Sequence, residues 1–400
     1  MHLRPFSLCL LTILLAGCSG STSAPDTHTS LSSSQPRSNQ SSSDRSSSSQ
    51  SRDGEFYTGA DLSYVNELLD CGVQYRHDNV ITDPYQLFAN AGTDIVRVRL
   101  WHNPDWTQYS NFADVRKTIE RAHAAGLKVL LDFHYSDTWA DPHKQIIPAA
   151  WEHLYGDTEA LAQALNDYTQ EVLAQLAEDD QLPEYVQIGN ETNIEILKPA
   201  STQDETASIN WPRSIALFHS GLAAVDDINT RFEADIQTMI HIAQPENAVR
   251  WFAQATAAGL DNFDLIGLSY YPKWSEVPLS ELDVSLIDLH DTYQKPVMIV
   301  ETAYPWTLEN FDQANNILGS DSLISGYPAT KSGQRQYLLD LKHIVQKAGG
   351  LGVIYWEPAW VSSACSTLWG TGSHWENASL FDAANNNNPL PAMDFFAKDQ

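Results

Sequence analysis

The sequence predicts a (β/α)8 TIM barrel of the α/β class, formed by one domain over residues 55–400. Short β-rich segments alternate with helical segments, and the β-rich segments number eight. Most of them are apolar nearly throughout, which is typical of parallel strands covered on both faces. Several helical segments end on a small residue and a Gly just before a strand, because Gly tolerates the left-handed conformation that ends a helix. Eight such repeats indicate a closed barrel.

Each predicted element has its own signal. The strands are expected, in chain order, at 59–63, 94–100, 128–135, 185–191, 235–241, 265–271, 297–302 and 352–357. Helical apolar stripes are formed by Val115, Ile119 and Ala122, by Leu161, Leu165, Tyr168, Val172 and Leu176, and by Tyr337, Leu341 and Ile344. Helix-ending glycines are Gly92, Gly126, Gly259 and Gly349. The rival fold is a doubly wound open sheet, but no Gly-rich phosphate loop follows the first strand.

The first residues predict export. A short cationic start precedes an apolar run that ends at Leu15, and this run is too short to span a bilayer as a mature helix. Residues 1–17 therefore read as a signal peptide. The segment Leu15-Ala16-Gly17-Cys18 resembles a bacterial lipobox, which implies lipidation of Cys18; an ordinary signal peptide with an incidental Cys is the alternative. Because Ser19 is not the Asp that commonly retains such lipoproteins at the inner membrane, the outer membrane or cell surface is expected.

Residues 18–54 are expected to be a flexible tether. They are dominated by Ser, contain no aromatic residue, and cannot offset their ordering entropy by burial. The net charge of −28 argues against a nucleic-acid partner, whose phosphates need a basic face. A neutral polymer is compatible with this charge, and a monomer is expected.

Cysteine usage agrees with an exported domain, and the chain is rich in aromatic residues. Outside the export segment only Cys71 and Cys365 remain, after the first and last predicted strands, which barrel closure makes neighbours. They are predicted to form a disulfide in an oxidising compartment. The chain has 12 Trp and 16 Tyr, of which many fill the core and some are expected to stack on sugar rings.

Candidate functional residues lie where predicted strands end, since active sites of such barrels lie at that face. The polar and aromatic residues at or just beyond these ends are Arg99, His134, Asp137, Trp139, Asn190, Glu191, His241, Tyr270, Tyr271, Glu301, Trp356, Glu357 and Trp360. Glu191 and Glu301 are expected to face each other across the barrel mouth. Glycoside hydrolysis needs two such carboxyl groups, one to protonate the leaving oxygen and one to attack or to activate water.

The chain resembles the clan A glycoside hydrolases and, within them, the family 53 endo-β-1,4-galactanases. Asn190-Glu191 and Glu301 carry the likeness to the clan. The run from Leu131 to Pro142, LDFHYSDTWADP, is specific to the family. Further matching segments begin at Gly59, Val96, Ile188, Val300 and Trp375, so the likeness covers nearly the whole exported domain.

The resemblance implies a role for each residue. Glu191 would be the acid/base and Glu301 the nucleophile of a retaining hydrolase acting on β-1,4-galactan, with no cofactor. Arg99 would orient Glu301 and keep it ionised, and Asn190 would bind the 2-hydroxyl of the reacting sugar. The remaining residues implied in substrate binding are His134, Tyr270 and Trp356 at the reacting subsite, and Asp137, Trp139 and Trp360 further along.

Several alternatives stay open at this point. Another clan A specificity, for β-mannan or β-glucan, is the nearest rival, and a glycan-binding lipoprotein on an inactive barrel is a more distant one. Arg99 could be a structural ion pair, His134 and His241 could be core residues, and Trp356 and Trp360 could serve packing alone. Glu357 is read as a loop charge.

A metal site is not expected. Some bacterial relatives carry calcium in the loop after strand 7, and here that loop contains Glu309, Asn310, Asp312, Asn315 and Asn316. These residues lack the spacing of a calcium loop with its central Gly.

Overall fold

The computed structural model describes residues 55–203 and 208–398. Eight parallel strands form a closed barrel in chain order. They are β1 (Tyr57–Asp61), β2 (Ile95–Leu100), β3 (Lys128–Phe133), β4 (Tyr185–Ile188), β5 (Gln237–Ala243), β6 (Leu265–Ser269), β7 (Val297–Glu301) and β8 (Gly352–Tyr355). The predicted signal peptide, the lipidated Cys18 and the Ser-rich tether lie outside the described residues.

Helices connect the strands. They are α1 (Val65–Asp70), α2 (Pro84–Ala91), α3 (Phe112–Ala124), α4 (Thr158–Glu178), α5 (Trp211–Phe232), α6 (Pro245–Ala257), α7 (Leu282–Tyr293) and α8 (Lys331–Lys347). Both α1 and α2 lie between β1 and β2, and one α-helix fills each later crossover. None of the helices in the described part of the chain combines the length and apolar composition needed to cross a bilayer.

Pairing of the first and last strands closes the barrel. Tyr57 lies beside Gly352 of β8, while Gly59 lies beside Ile95 of β2. An open doubly wound sheet would leave β1 and β8 apart, so the barrel prediction is confirmed.

The barrel interior is apolar below and polar above. Because side chains alternate along a strand, every second residue faces inward. The lower interior cluster consists of Tyr57, Ile95, Leu130, Tyr185, Met239, Leu265, Met298, Val300 and Ile354. Two residues further along four of these strands, the inward positions hold Arg97, Asp132, Gln187 and His241, all buried. The fold therefore buries a polar layer directly beneath the C-terminal ends of the strands.

Helix ends follow the glycine pattern. Gly92 ends α2 with φ 103° and lies so close to the C-terminal segment that a Cβ would meet the Phe396 carbonyl oxygen at 2.5 Å. The other predicted helix-ending glycines, Gly126, Gly259 and Gly349, also have positive φ.

A disulfide joins Cys71 and Cys365, whose Cα atoms lie 5.6 Å apart. Cys71 follows α1, and Cys365 lies in the segment after β8. The predicted pairing is confirmed. It closes a loop of nearly the whole domain, for which the chain-entropy account gives a stabilisation of about 3–5 kcal/mol.

Candidate active site

A cleft of about 860 Å³ opens at the C-terminal ends of the barrel strands. Its polar floor contains Glu191, Glu301, Asn190 and Arg97. Aromatic rings make up much of its walls, namely Tyr64, Trp139, Tyr271, Trp274, Trp356, Trp360, Trp369 and Trp375. Apolar walls with a few convergent polar groups are typical of a ligand site.

Glu191 and Glu301 face each other in this cleft. Glu191 follows β4 in a left-handed conformation with φ 44°, while Glu301 is the last residue of β7. A carboxylate oxygen of each lies within 4.8 Å of one of the other. Retaining glycosidases hold their two carboxyl groups about 5–5.5 Å apart, whereas inverting ones need about 6.5–9.5 Å to admit a water. The separation observed here fits retention.

A β-bulge turns Glu301 toward the cleft. Leu268 of β6 pairs with Ile299, but the next residue, Ser269, pairs with Glu301 and skips Val300. Val300 belongs to the interior cluster, and strict alternation would have pointed its successor outward. The irregularity therefore brings two consecutive residues of β7 to the inner side, as bulges do when they re-aim a side chain.

Glu301 is held by a guanidinium and a phenol. Arg97 lies 2.9 Å from its Oε1, and the Tyr271 hydroxyl donates to its Oε2 at 3.0 Å. Burial raises the pKa of the Glu301 carboxyl to about 7, while the charge of Arg97 opposes that rise. A carboxylate whose ionised form is favoured by a fixed cation is suited to nucleophilic attack.

Arg97 is the hub of the polar layer. Its guanidinium contacts Asp61 and Asp132 at 2.8 Å each and donates to Asn190 Oδ1 at 2.7 Å. The Asn190 amide is thereby fixed, since its Nδ2 donates to the Ala140 carbonyl. One arginine thus orients both the candidate nucleophile and the amide beside Glu191.

The negative charge of Glu191 is stabilised less than that of Glu301. Its Oε1 accepts a hydrogen bond of 2.6 Å from the Ser269 hydroxyl. Burial, followed by the charge of Glu301, raises the pKa of the Glu191 carboxyl well above its usual range. The pair therefore loses its first proton from Glu301 and retains the second on Glu191, which is the distribution that a nucleophile and an acid/base need.

Two histidines lie beside the pair. His134 lines the cleft; its Nδ1 accepts from the Ala140 N–H at 3.1 Å, so its Nε2–H faces Asp132 at 3.1 Å. His241 is fully buried and contacts polar groups through both ring nitrogens. Glu191, His241 and Glu301 lie close enough to hold a metal, but both nitrogens of His241 are already engaged, which does not favour a ligand role.

The prediction that Arg99 contacts the nucleophile is wrong. Arg99 lines the cleft, but its guanidinium pairs with Glu357 at 2.8 Å. It lies 4.3–4.9 Å from the ring centres of Tyr64, Trp101 and Trp139. Arg97, two residues earlier on β2, takes the predicted position. Glu357 is likewise no loop charge, since it is buried with its carboxylate on Arg99.

Tyr270 does not line the cleft, contrary to the prediction. It faces away from the barrel interior, and its hydroxyl donates to the Val277 carbonyl at 3.1 Å. Its neighbour Tyr271 is the residue that reaches Glu301.

Asp137 also differs from its prediction as a sugar contact. Its carboxylate accepts from the backbone N–H groups of Asn103 and Ala149 and lies 3.4 Å from His102. It therefore ties the loops after β2 and β3 together and is not part of the cleft lining. Trp139, Trp356 and Trp360 do line the cleft, together with His134 and Asn190.

Two acidic groups at the loop after β7, Asp312 and Glu376, are not arranged to hold a cation. The Asp312 carboxylate accepts backbone N–H groups of Ala314, Ser363 and Ser373. Glu376, which lies against this loop, accepts from the Phe311 N–H and the Ser362 hydroxyl. These acidic groups face hydrogen-bond donors, whereas a calcium ion requires free oxygens.

Two facing carboxyl groups, one of them on an arginine, in an aromatic cleft at the mouth of a barrel define the site of a glycoside hydrolase. Comparison with known proteins places the chain within that class. The profile of glycosyl hydrolase family 53 matches residues 57–396. The chain belongs to this family.

Named relatives agree. The chain is 58% identical over 344 residues to an arabinogalactan endo-β-1,4-galactanase of Cellvibrio japonicus, covering 86% of this chain and 91% of that one. It is 33% identical to an endo-β-1,4-galactanase of Bacillus subtilis, covering 86% and 85%. Among solved structures, the GH53 catalytic domain of Ignisphaera aggregans matches with a TM-score of 0.77 at 31% identity, covering 86% of this chain and 95% of that one.

Proposed function

We propose that this glycoside hydrolase cleaves internal β-1,4-galactosidic bonds of galactan, the neutral side chain of pectin, with retention of configuration. The observation that carries the proposal is the facing pair Glu191 and Glu301, with one carboxylate oxygen of each within 4.8 Å of the other, in a chain 58% identical to an arabinogalactan endo-β-1,4-galactanase. The open, aromatic-walled cleft suits a neutral polymer, and the net charge of −28 disfavours a polyanionic one.

The residues divide the reaction between them. Glu301, ionised against Arg97, attacks the anomeric carbon, while Glu191 gives its proton to the departing glycosidic oxygen. Glu191 then takes a proton from water, which attacks the glycosyl-enzyme and releases the sugar with its original configuration. Asn190 Nδ2 donates one N–H to the Ala140 carbonyl, and its second N–H would donate to the 2-hydroxyl of the reacting sugar.

Reducing-sugar release from purified galactan, β-mannan and carboxymethylcellulose tests the substrate. Galactan should be cleaved fastest, with early products of several lengths as expected of an endo-acting enzyme. Preference for mannan or carboxymethylcellulose would overturn the substrate assignment, and no release from any of the three would favour a binding role. An α-configured first product in proton NMR would overturn retention.

We also propose that the protein is exported and held by a lipid on Cys18, at the outer membrane or cell surface. The support is the lipobox-like segment ending at Cys18 and the Ser-rich tether, which would hold the catalytic domain away from the membrane. Membrane fractionation of the full chain and its Cys18→Ala variant tests this. The variant should leave the membrane fraction, and a variant that stays there contradicts the anchor.

A further inference from the structure

A hydrogen-bond relay runs from a buried histidine to Glu191. Ser269, the last residue of β6, is completely buried, and its hydroxyl lies 2.6 Å from Glu191 Oε1. The same hydroxyl lies 2.9 Å from Nε2 of His241 on β5. His241, Ser269 and Glu191 thus form a continuous relay that ends on the candidate acid/base.

The surroundings of His241 fix the direction of the relay. Its Nδ1 faces two donors, the Gln187 amide at 3.0 Å and the Glu191 backbone N–H at 3.3 Å. Asn190 Oδ1 also lies 3.1 Å from Nδ1, but the Glu191 backbone N–H can only donate, so Nδ1 must supply the lone pair. Nδ1 therefore acts as an acceptor and the ring proton lies on Nε2.

This tautomer of His241 fixes the direction of the Ser269 hydroxyl proton. Burial and the charge of Arg97 hold the pKa of His241 well below its usual range, so the ring is neutral. Its Nε2–H donates to the Ser269 oxygen, which leaves the hydroxyl proton of Ser269 to point at Glu191 Oε1. A hydrogen bond from a correctly oriented donor favours the ionised form of an oxygen and fixes its position.

We propose that Ser269 is a positioning residue for the acid/base, whose hydroxyl, oriented by His241, holds Oε1 of Glu191 so that the catalytic proton resides on Oε2. This inference rests on the proposed role of Glu191. Glu191 has a left-handed backbone, with φ 44°, and follows the end of β4, so strand pairing does not fix its side chain.

Other charged and titratable groups face Glu191 from each neighbouring element. Glu301 on β7 and Asp141 after β3 raise the pKa of its carboxyl, while Arg97 on β2 lowers it. His241 on β5 is neutral, and the Tyr271 phenol after β6 donates to Glu301. The Ser269 hydroxyl acts in the same direction as Arg97, and it does so through a direct bond to the carboxylate.

The test compares Ser269→Ala with wild type on two substrates across pH. On galactan, loss of the donor should lower kcat about tenfold, because a weaker and less fixed acid transfers its proton poorly. The alkaline limb of kcat/KM, which reports deprotonation of Glu191, should move up by about one pH unit. On an aryl galactobioside with an acidic leaving group, the bond-breaking step should be unchanged, since that step needs little proton donation.

Ser269→Thr is the matched control, because it keeps a hydroxyl at the same position and should restore the limb. An unmoved alkaline limb in Ser269→Ala, or an equal loss on both substrates in a variant that melts like wild type, would overturn the inference. A wild-type enzyme that cleaves mannan in place of galactan overturns only the proposed substrate, and the same comparison is then made on mannan.

Discussion

Glu191 and Glu301 are both enclosed carboxyl groups, yet the two sides of the barrel mouth compensate them differently. Glu301 lies against the Arg97 guanidinium at 2.9 Å and accepts from a phenol. Glu191 receives one neutral hydroxyl at 2.6 Å and has the charge of its partner opposite. The difference gives one fold two carboxyl groups with different proton affinities, as acid and nucleophile roles require.

A similar contrast separates the two arginines of β2. Arg97 contacts three carboxylates, those of Asp61, Asp132 and Glu301. Arg99 contacts one, that of Glu357, and is otherwise surrounded by aromatic rings. Arg97 therefore acts on the reacting groups, and Arg99 fixes the aromatic wall and the end of β8.

The largest expected effect is that of Glu301→Ala. No other group in the cleft can attack the anomeric carbon from the position of Glu301, so activity should fall by roughly 10⁵-fold or more on every substrate. Initial rates on galactan and on an aryl galactobioside measure this. If Glu301→Ala kept activity on the aryl galactobioside and lost it on galactan, the two carboxyl groups would have been assigned the wrong way round.

Glu191→Ala should be a selective loss. Galactan cleavage should fall by about 10²–10⁴-fold, because its leaving alcohol needs a proton, while the first step on an aryl glycoside with an acidic leaving group should be spared. Added azide should then attack the intermediate and give a β-galactosyl azide, identifiable by NMR. Equal loss on both substrates, without azide rescue, contradicts the acid/base role.

Much of this contrast could be predicted from the sequence. Strand ends located Asn190, Glu191 and Glu301, because apolar runs mark where each strand begins and where its polar end reaches the barrel mouth. The inward position of Tyr271 was also available, since alternation along β6 places Gly267, Ser269 and Tyr271 on one side and Tyr270 on the other. The prediction of Tyr270 overlooked that rule.

Other features could not be read from one sequence. Arg97 and Arg99 share the inward side of β2, so alternation admits both, and only depth in the barrel decides which reaches Glu301. The bulge that skips Val300 leaves no local signal in an apolar strand. The partner of Glu357 lies 258 residues away, on the far side of the closure between β1 and β8.

Arg97→Lys tests whether the polar layer needs the several donors of the Arg97 guanidinium or only its positive charge. A lysine keeps one positive charge, but it cannot contact two aspartates, Glu301 and Asn190 at once. We expect kcat/KM on galactan to fall by about 10²-fold, with the acid limb displaced to higher pH. Arg99→Lys should leave that limb in place, and a matching displacement in Arg99→Lys would argue against the separate roles of the two arginines.

The smallest expected effect belongs to the paired variants Tyr271→Phe and Tyr270→Phe. The Tyr271 phenol donates to Glu301 Oε2 and so favours its ionised form. Removing it should raise the pKa of Glu301 above its present value of about 7. Glu301 must be ionised to attack, so activity should then require a higher pH, and the acid limb of kcat/KM should move up by about 0.5–1 unit. The alkaline limb, set by Glu191, should move little.

Tyr270→Phe is the matched control. It removes an identical hydroxyl one residue away, where it donates to a backbone carbonyl outside the cleft, and it should keep the wild-type profile. A shift in the Tyr270 variant, or none in the Tyr271 variant, would show that the phenol does not distinguish the nucleophile side from the acid side.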